Sequence, residues 1–152
     1  MSVVSTSIDI AAPPEEIWRL VMDPERLGEW VTIHRRLLDH TGGPPRKGYE
    51  MHQTLHLRGA NFKVGWTLIE CEAARLAVWE GKGPARSRAR TEYRLAERDG
   101  GTRFAYRNEF HAPLGPLGAA ASRALMGGMP EREAHRTLER LKHLVESRSQ
   151  SH

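Results

Sequence analysis

Eight histidines and one cysteine are the side chains of this sequence best suited to proton transfer, metal binding or nucleophilic attack near neutral pH. His34 stands where a helical pattern gives way to a strand, a place from which an imidazole could reach the mouth of a cavity and do acid–base work. No partnered carboxylate is evident beside it, and a structural or surface histidine satisfies the same pattern. His52 and His56 share one parity of their strand with Glu50, which predicts solvated rings. His135 sits one helical turn after Glu131, beside the stripe Ala134, Leu138, Leu141 and Val145. Such a polar cluster could orient a ligand carbonyl or hydroxyl, or only edge an apolar face. Two side chains at that spacing make no metal site, so no metal is expected. Cys71, near Leu68 and Ile69, reads as a buried, inert thiol, and being alone it excludes an internal disulfide. No glycine-rich phosphate loop, nucleophile elbow or serine–histidine–aspartate pattern occurs, and no cofactor is expected.

The elements that must position these groups follow from periodicity. A strand over residues 3–10 is ended by Ala11-Ala12-Pro13-Pro14. Proline suits the first turn of a helix, and Glu15 and Glu16 complement its positive end. Ile17, Leu20 and Val21 then share one face. Asp23-Pro24 ends this helix and starts a second, short one reaching Trp30, with Asp23 as its N-cap. From Ile33 the period becomes two. Strands are predicted over residues 33–40, 49–57, 62–71, 76–80, 87–96 and 102–111, joined by short turns such as Asp99-Gly100-Gly101. Joints this short connect antiparallel neighbours. After Pro116 a helical pattern continues to about Val145, interrupted at Gly127-Gly128-Met129-Pro130, where a kink or hinge is expected. Residues 147–152 read as a frayed tail.

The predicted fold class is therefore α+β. A curved, seven-stranded antiparallel sheet wraps around a long C-terminal helix, with two short helices between strands 1 and 2, in one domain spanning residues 1–152. A straight helix cannot fill a strongly bent sheet, so a gap between them is expected. Alternation names its walls. Ser87, Ala89, Thr91, Tyr93 and Leu95 oppose Arg86, Arg88, Arg90, Glu92 and Arg94. Phe104, Tyr106, Asn108 and Phe110 oppose Arg103, Arg107, Glu109 and His111, while Tyr49, Met51, Gln53, Leu55 and Leu57 form the inner face of the third strand. Aromatic, aliphatic and a few neutral polar groups together have the composition of a ligand pocket. The candidate ligand-binding set is Tyr49, Met51, Gln53, Trp66, Ala89, Tyr93, Phe104, Tyr106, Asn108, Phe110 and His135. Trp66 is placed on the helix side of the sheet, Trp18 and Trp30 pin the small helices, and Trp79 receives no face.

Net charge is +4, with charges of both signs spread along the chain, so a solvated surface is expected rather than a nucleic-acid interface. The first residues carry neither a basic nor an apolar leader segment, and no stretch approaches the length of a membrane span, which makes the cytoplasm the expected compartment.

The run Ile8-Asp9-Ile10-Ala11-Ala12-Pro13-Pro14-Glu15-Glu16-Ile17-Trp18 resembles the opening of the helix-grip superfamily, which includes START lipid-transfer domains, pollen-allergen-like proteins and polyketide cyclases/dehydrases. Glu29-Trp30-Val31-Thr32-Ile33-His34-Arg35, Gly65-Trp66-Thr67-Leu68-Ile69 and Pro113-Leu114-Gly115-Pro116-Leu117-Gly118 are similar to an actinobacterial subgroup with members described as toxins of type II toxin–antitoxin systems. The resemblance implies the fold over nearly the whole chain. For function it leaves three expectations open: binding of a hydrophobic or aromatic, lipid- or polyketide-like molecule; a cyclase/dehydrase-like enzyme; and a toxin-like interaction protein with a protein partner. The absence of a visible acid–base constellation favours the first.

Overall fold

The computed structural model describes residues 2–57, 59–111 and 131–150. Strand β1 (Ser2–Ile10) leads into helix α1 (Pro14–Val21). A 3-10 turn (Pro24–Arg26) follows, in which Asp23 Oδ1 accepts from the Glu25 N–H at 3.1 Å, and it runs into helix α2 (Leu27–Trp30). Six strands come next: β2 (His34–His40), β3 (Glu50–Leu57), β4 (Ala60–Glu72), β5 (Leu76–Lys82), β6 (Arg88–Arg98) and β7 (Gly101–His111). Helix α3 (Glu131–Gln150) closes the described chain. It continues past residue 147, where the sequence predicts a tail. The expected break at Gly127-Gly128-Met129-Pro130 lies outside the described residues, as does Pro113-Leu114-Gly115-Pro116-Leu117-Gly118.

All seven strands join one antiparallel sheet in the order β1-β7-β6-β5-β4-β3-β2. Register shifts in the β2–β3 and β4–β5 ladders accentuate its bend. Asp99 and Gly100, both at positive φ, form the β6–β7 turn. The alternation in β6 and β7 holds: Thr91, Tyr93, Leu95, Phe104, Tyr106 and Asn108 are buried, Arg88 is exposed, and Arg90 and Arg107 are half-exposed. On the outer face arginines pair with carboxylates, as in Arg103–Asp9, Arg94–Glu92 and Arg107–Glu109, which spreads rather than concentrates the charge.

Helix α3 buries Ala134, Leu138, Leu141 and Val145, the predicted stripe, and packs mainly against β1 and α2. Polar contacts fix its position. Thr137 Oγ1 accepts from the Thr32 N–H at 3.2 Å, Lys142 Nζ donates to the Asp9 carbonyl at 2.7 Å, and Glu146 accepts from the Ala11 N–H at 3.2 Å. Trp30, expected only to pin its short helix, is fully buried on the inner face of the sheet, edge-on to Tyr93 and Phe104. Cys71 is half-buried, and burial pushes its thiol pKa up. No helix among the described residues is long and apolar enough to cross a membrane.

Candidate functional site

A cavity lies between the inner face of the sheet and the α2–β2 segment rather than against the long C-terminal helix, where the sequence predicts the gap; no described residue of α3 lines it. Leu27, Val31 and Ile33 form one side. The sheet supplies Met51, Gln53 and Leu55 from β3, Trp66 from β4, Trp79 from β5, Thr91 and Tyr93 from β6, and Tyr106, Asn108 and Phe110 from β7. Period-two geometry explains why residues two apart on adjacent antiparallel strands converge there.

The cavity volume is about 40 Å³, room for roughly three water molecules. The small inward residues of β6 are complemented by large rings from neighbouring strands. Trp66 lies so close over Gly81 that a Cβ there would come within 2.7 Å of its ring, and Trp79 sits directly opposite Thr91. The tryptophans occupy space that alanine, serine and threonine leave.

Polar groups punctuate this apolar wall. The Thr91 hydroxyl donates to Asn108 Oδ1 at 2.5 Å, and the Trp66 indole N–H donates to Gln53 Oε1 at 2.7 Å. Gln53 Nε2 lies 2.8 Å from His34 Nδ1. An indole nitrogen only donates, so the Gln53 atom facing it must be oxygen, and the atom facing His34 must be the amide nitrogen. His34 Nδ1 is therefore an acceptor, and its proton resides on Nε2. Burial pushes the Tyr106 hydroxyl up to about 12, partly offset by its hydrogen bond with Asn108. Burial and the neighbouring Tyr106 hold Tyr93 well above the usual phenol value. Both phenols remain protonated near neutrality and can donate.

Burial holds the His34 pKa below the ordinary imidazole value of 6.5. The unfolded chain then takes up this proton before the folded one does, so stability contributed here is present above pH 6.5 and falls as pH drops from 6.5 towards the folded pKa. Urea denaturation at pH 7.5 and 5.5 should give a smaller acid-induced loss in His34→Gln than in the wild type. Equal losses would show that His34 titrates alike in both states.

Seven of the candidate residues thus line one cavity: Met51, Gln53, Trp66, Tyr93, Tyr106, Asn108 and Phe110. Ala89 is half-buried opposite Phe110 without lining the cavity, and Phe104 is fully buried against Trp30 and Tyr93. Tyr49 lies elsewhere. Its hydroxyl meets His40 Nδ1 at 2.7 Å in a separate surface groove beside α1. His135 is not brought to the cavity; its ring is half in solvent and pairs with Glu139 at 3.0 Å. His52 and His56 are exposed, bonded to Asp39 and Asn61. The lining residues outside the candidate set are Leu27, Val31, Ile33, Leu55, Trp79 and Thr91. Among the described residues no group of histidine, cysteine and carboxylate side chains could hold a metal ion.

A family model described as polyketide cyclase / dehydrase and lipid transport matches residues 1–146. A Mycobacterium tuberculosis protein named as a toxin is 26% identical over 133 residues, covering 86% of this chain and 92% of its own. A second, uncharacterized protein of that organism is 26% identical over 129 residues, covering 84% and 90%. Among solved structures, an aromatase/cyclase from a Streptomyces species superposes with a TM-score of 0.76 at 14% identity, covering 97% of this chain and 94% of its own. A Thermus thermophilus protein does so at 0.73 and 16% identity, covering 97% and 99%. At such identities the structures establish the helix-grip fold and nothing finer.

Proposed function

Since the chain belongs to the polyketide cyclase / dehydrase and lipid transport family, we propose that it binds an apolar, aromatic small molecule bearing carbonyl or hydroxyl groups between the sheet and its helical cover. One observation carries this reading: an otherwise apolar wall holds Gln53 on β3 and Thr91, Tyr106 and Asn108 on β6 and β7, all within 6% exposure. A plain core has little use for four such groups, whereas a ligand site uses a few to fix orientation. The volume of about 40 Å³ is far below the roughly 300 Å³ of a drug-sized site. Binding therefore requires the wall to open. Met51, unbranched, and Phe110, half-buried at one end of the cavity, are the side chains best able to swing aside.

An environment-sensitive apolar fluorophore, or an aromatic polyketide followed by its own fluorescence, should bind with micromolar affinity. Val31→Trp crowds the cavity from its helical side and should weaken binding by ~1 kcal/mol or more, on the order of what overpacking costs, with the domain still folded by circular dichroism. Unchanged affinity in the folded variant would place the ligand elsewhere. Failure of the wild type to bind any such probe would make the inner face plain core.

A cyclase-like reaction is the second reading, favoured by the Trp66–Gln53–His34 chain, which fixes the tautomer of an imidazole whose depressed pKa keeps it neutral. A neutral imidazole Nε2–H can polarise a carbonyl without carrying charge. Loss of turnover with retained binding in His34→Gln would separate that role from ligand binding.

A further inference from the structure

The two edges of the sheet are built differently. Strand β2 carries Arg35, Arg36 and Asp39 and is broken by two register shifts, devices that discourage a further strand from adding. Strand β1 has none of them before Asp9. From Ser2 to Ile8 it contains no charge, no proline and no bulge, and its valine, threonine and isoleucine favour extended pairing.

Its free backbone groups can be identified. A Cβ on Gly101 would strike the Ile10 carbonyl oxygen at 2.5 Å, so that carbonyl points towards β7. Residues of the same parity as Ile10 bond to β7, and the alternate set faces outward. The Asp9 carbonyl agrees, since Lys142 reaches it from α3 at 2.7 Å. Lys142 thereby closes one end of the edge, and among the described residues the outward groups of Val3, Ser5 and Ser7 are left, on residues that are all exposed. Val3 and Leu38 are the exposed large hydrophobics among the described residues, and each lies on an edge strand. Beside Val3, the inward-facing Val4, Thr6 and Ile8 are only half-buried.

We infer that the β1 edge is a homodimer interface, on which a second copy of this chain adds its own β1 antiparallel about a two-fold axis at Ser5. The available groups are centred on Ser5, so the axis pairs Val3 with Ser7 and Ser5 with itself, each pair exchanging both backbone bonds. Val4 then lies across Thr6, where it gains cover. The paired segment from Val3 to Ser7 carries no charged side chain, so self-pairing sets no like charges opposite each other. A symmetric β1–β1 contact uses both unprotected edges at once and closes the assembly, whereas a head-to-tail β1–β2 contact always leaves one β1 edge open at the end of the assembly.

Sedimentation equilibrium of the full chain from low to high micromolar concentration should give a mass twice 17.2 kDa. Ser5→Lys places two ammonium groups opposite each other and should weaken dimerisation at least tenfold. Its side chain is exposed, so the circular dichroism spectrum should be retained. Ser5→Pro removes an outward N–H that serves no bond to β7, and should also give monomer. Leu38→Lys, on the other edge, should leave the dimer intact. A monomer throughout the concentration range would overturn the inference. So would a dimer that both folded Ser5 variants leave unchanged, or one that only Leu38→Lys dissolves.

Discussion

Trp30→Ala should destabilise the fold by about 3–5 kcal/mol, read from urea denaturation at constant slope. Trp30 is fully buried and makes edge-on contacts to Tyr93 at 5.7 Å and to Phe104 at 6.3 Å between ring centroids. It belongs to α2, which has four residues and cannot persist without tertiary anchoring. The same helix touches α3, so a hole at Trp30 loosens the junction of sheet, α2 and α3 together. Its indole N–H has no acceptor among the described residues, a burial cost that the ring's packing exceeds. Trp30→Phe keeps an aromatic ring against Tyr93 and Phe104 and removes that N–H, so it should cost much less than the alanine variant. Equal losses in both would mean that the ring contacts are not what holds α2. A loss below about 1 kcal/mol in Trp30→Ala would show that the junction relaxes into the gap.

Where one face of an element meets solvent, the sequence carried its structure openly. In β6, exposed Arg88 and Arg94 alternate with buried Thr91, Tyr93 and Leu95, and the inner wall could be read two residues at a time. In β5 the signal vanishes. Leu76, Ala77, Val78 and Trp79 are all buried, because outer-face side chains cover Val78 while the cavity takes Trp79, so no alternation assigned that tryptophan. Bulges erased the parity of β2. Val31 and Ile33 sit in a non-repeating segment, and their approach to the cavity depends on where α2 docks. His135 illustrates the opposite error: one residue along a helix turns a side chain by about 100°, enough to carry it from beside buried Ala134 into solvent. The cavity's size was equally illegible. Small residues at Ala89 and Thr91 suggested open volume, and only the register across strands shows Trp66 and Trp79 filling it.

That register makes Gln53 the most informative polar position in the wall. Its amide accepts from Trp66 and donates to His34, and the residue is 4% exposed. Gln53→Leu preserves bulk but leaves the Trp66 N–H without its acceptor and His34 without its donor. Stranding a buried donor costs about 1–3 kcal/mol, and that loss should appear in urea denaturation. Gln53→Glu separates hydrogen bonding from packing. The carboxylate still accepts from Trp66, but it now faces His34 with an oxygen and favours the imidazolium. NMR titration should therefore find the His34 pKa below 6.5 in the wild type and above it in Gln53→Glu. With the sign reversed, stability gained from His34 should be present below pH 6.5 and disappear as pH rises through the folded pKa. If Gln53→Leu costs less than about 0.5 kcal/mol, the amide is not the link between the two rings. If the glutamate variant leaves the His34 titration unmoved, the imidazole does not face position 53 in solution.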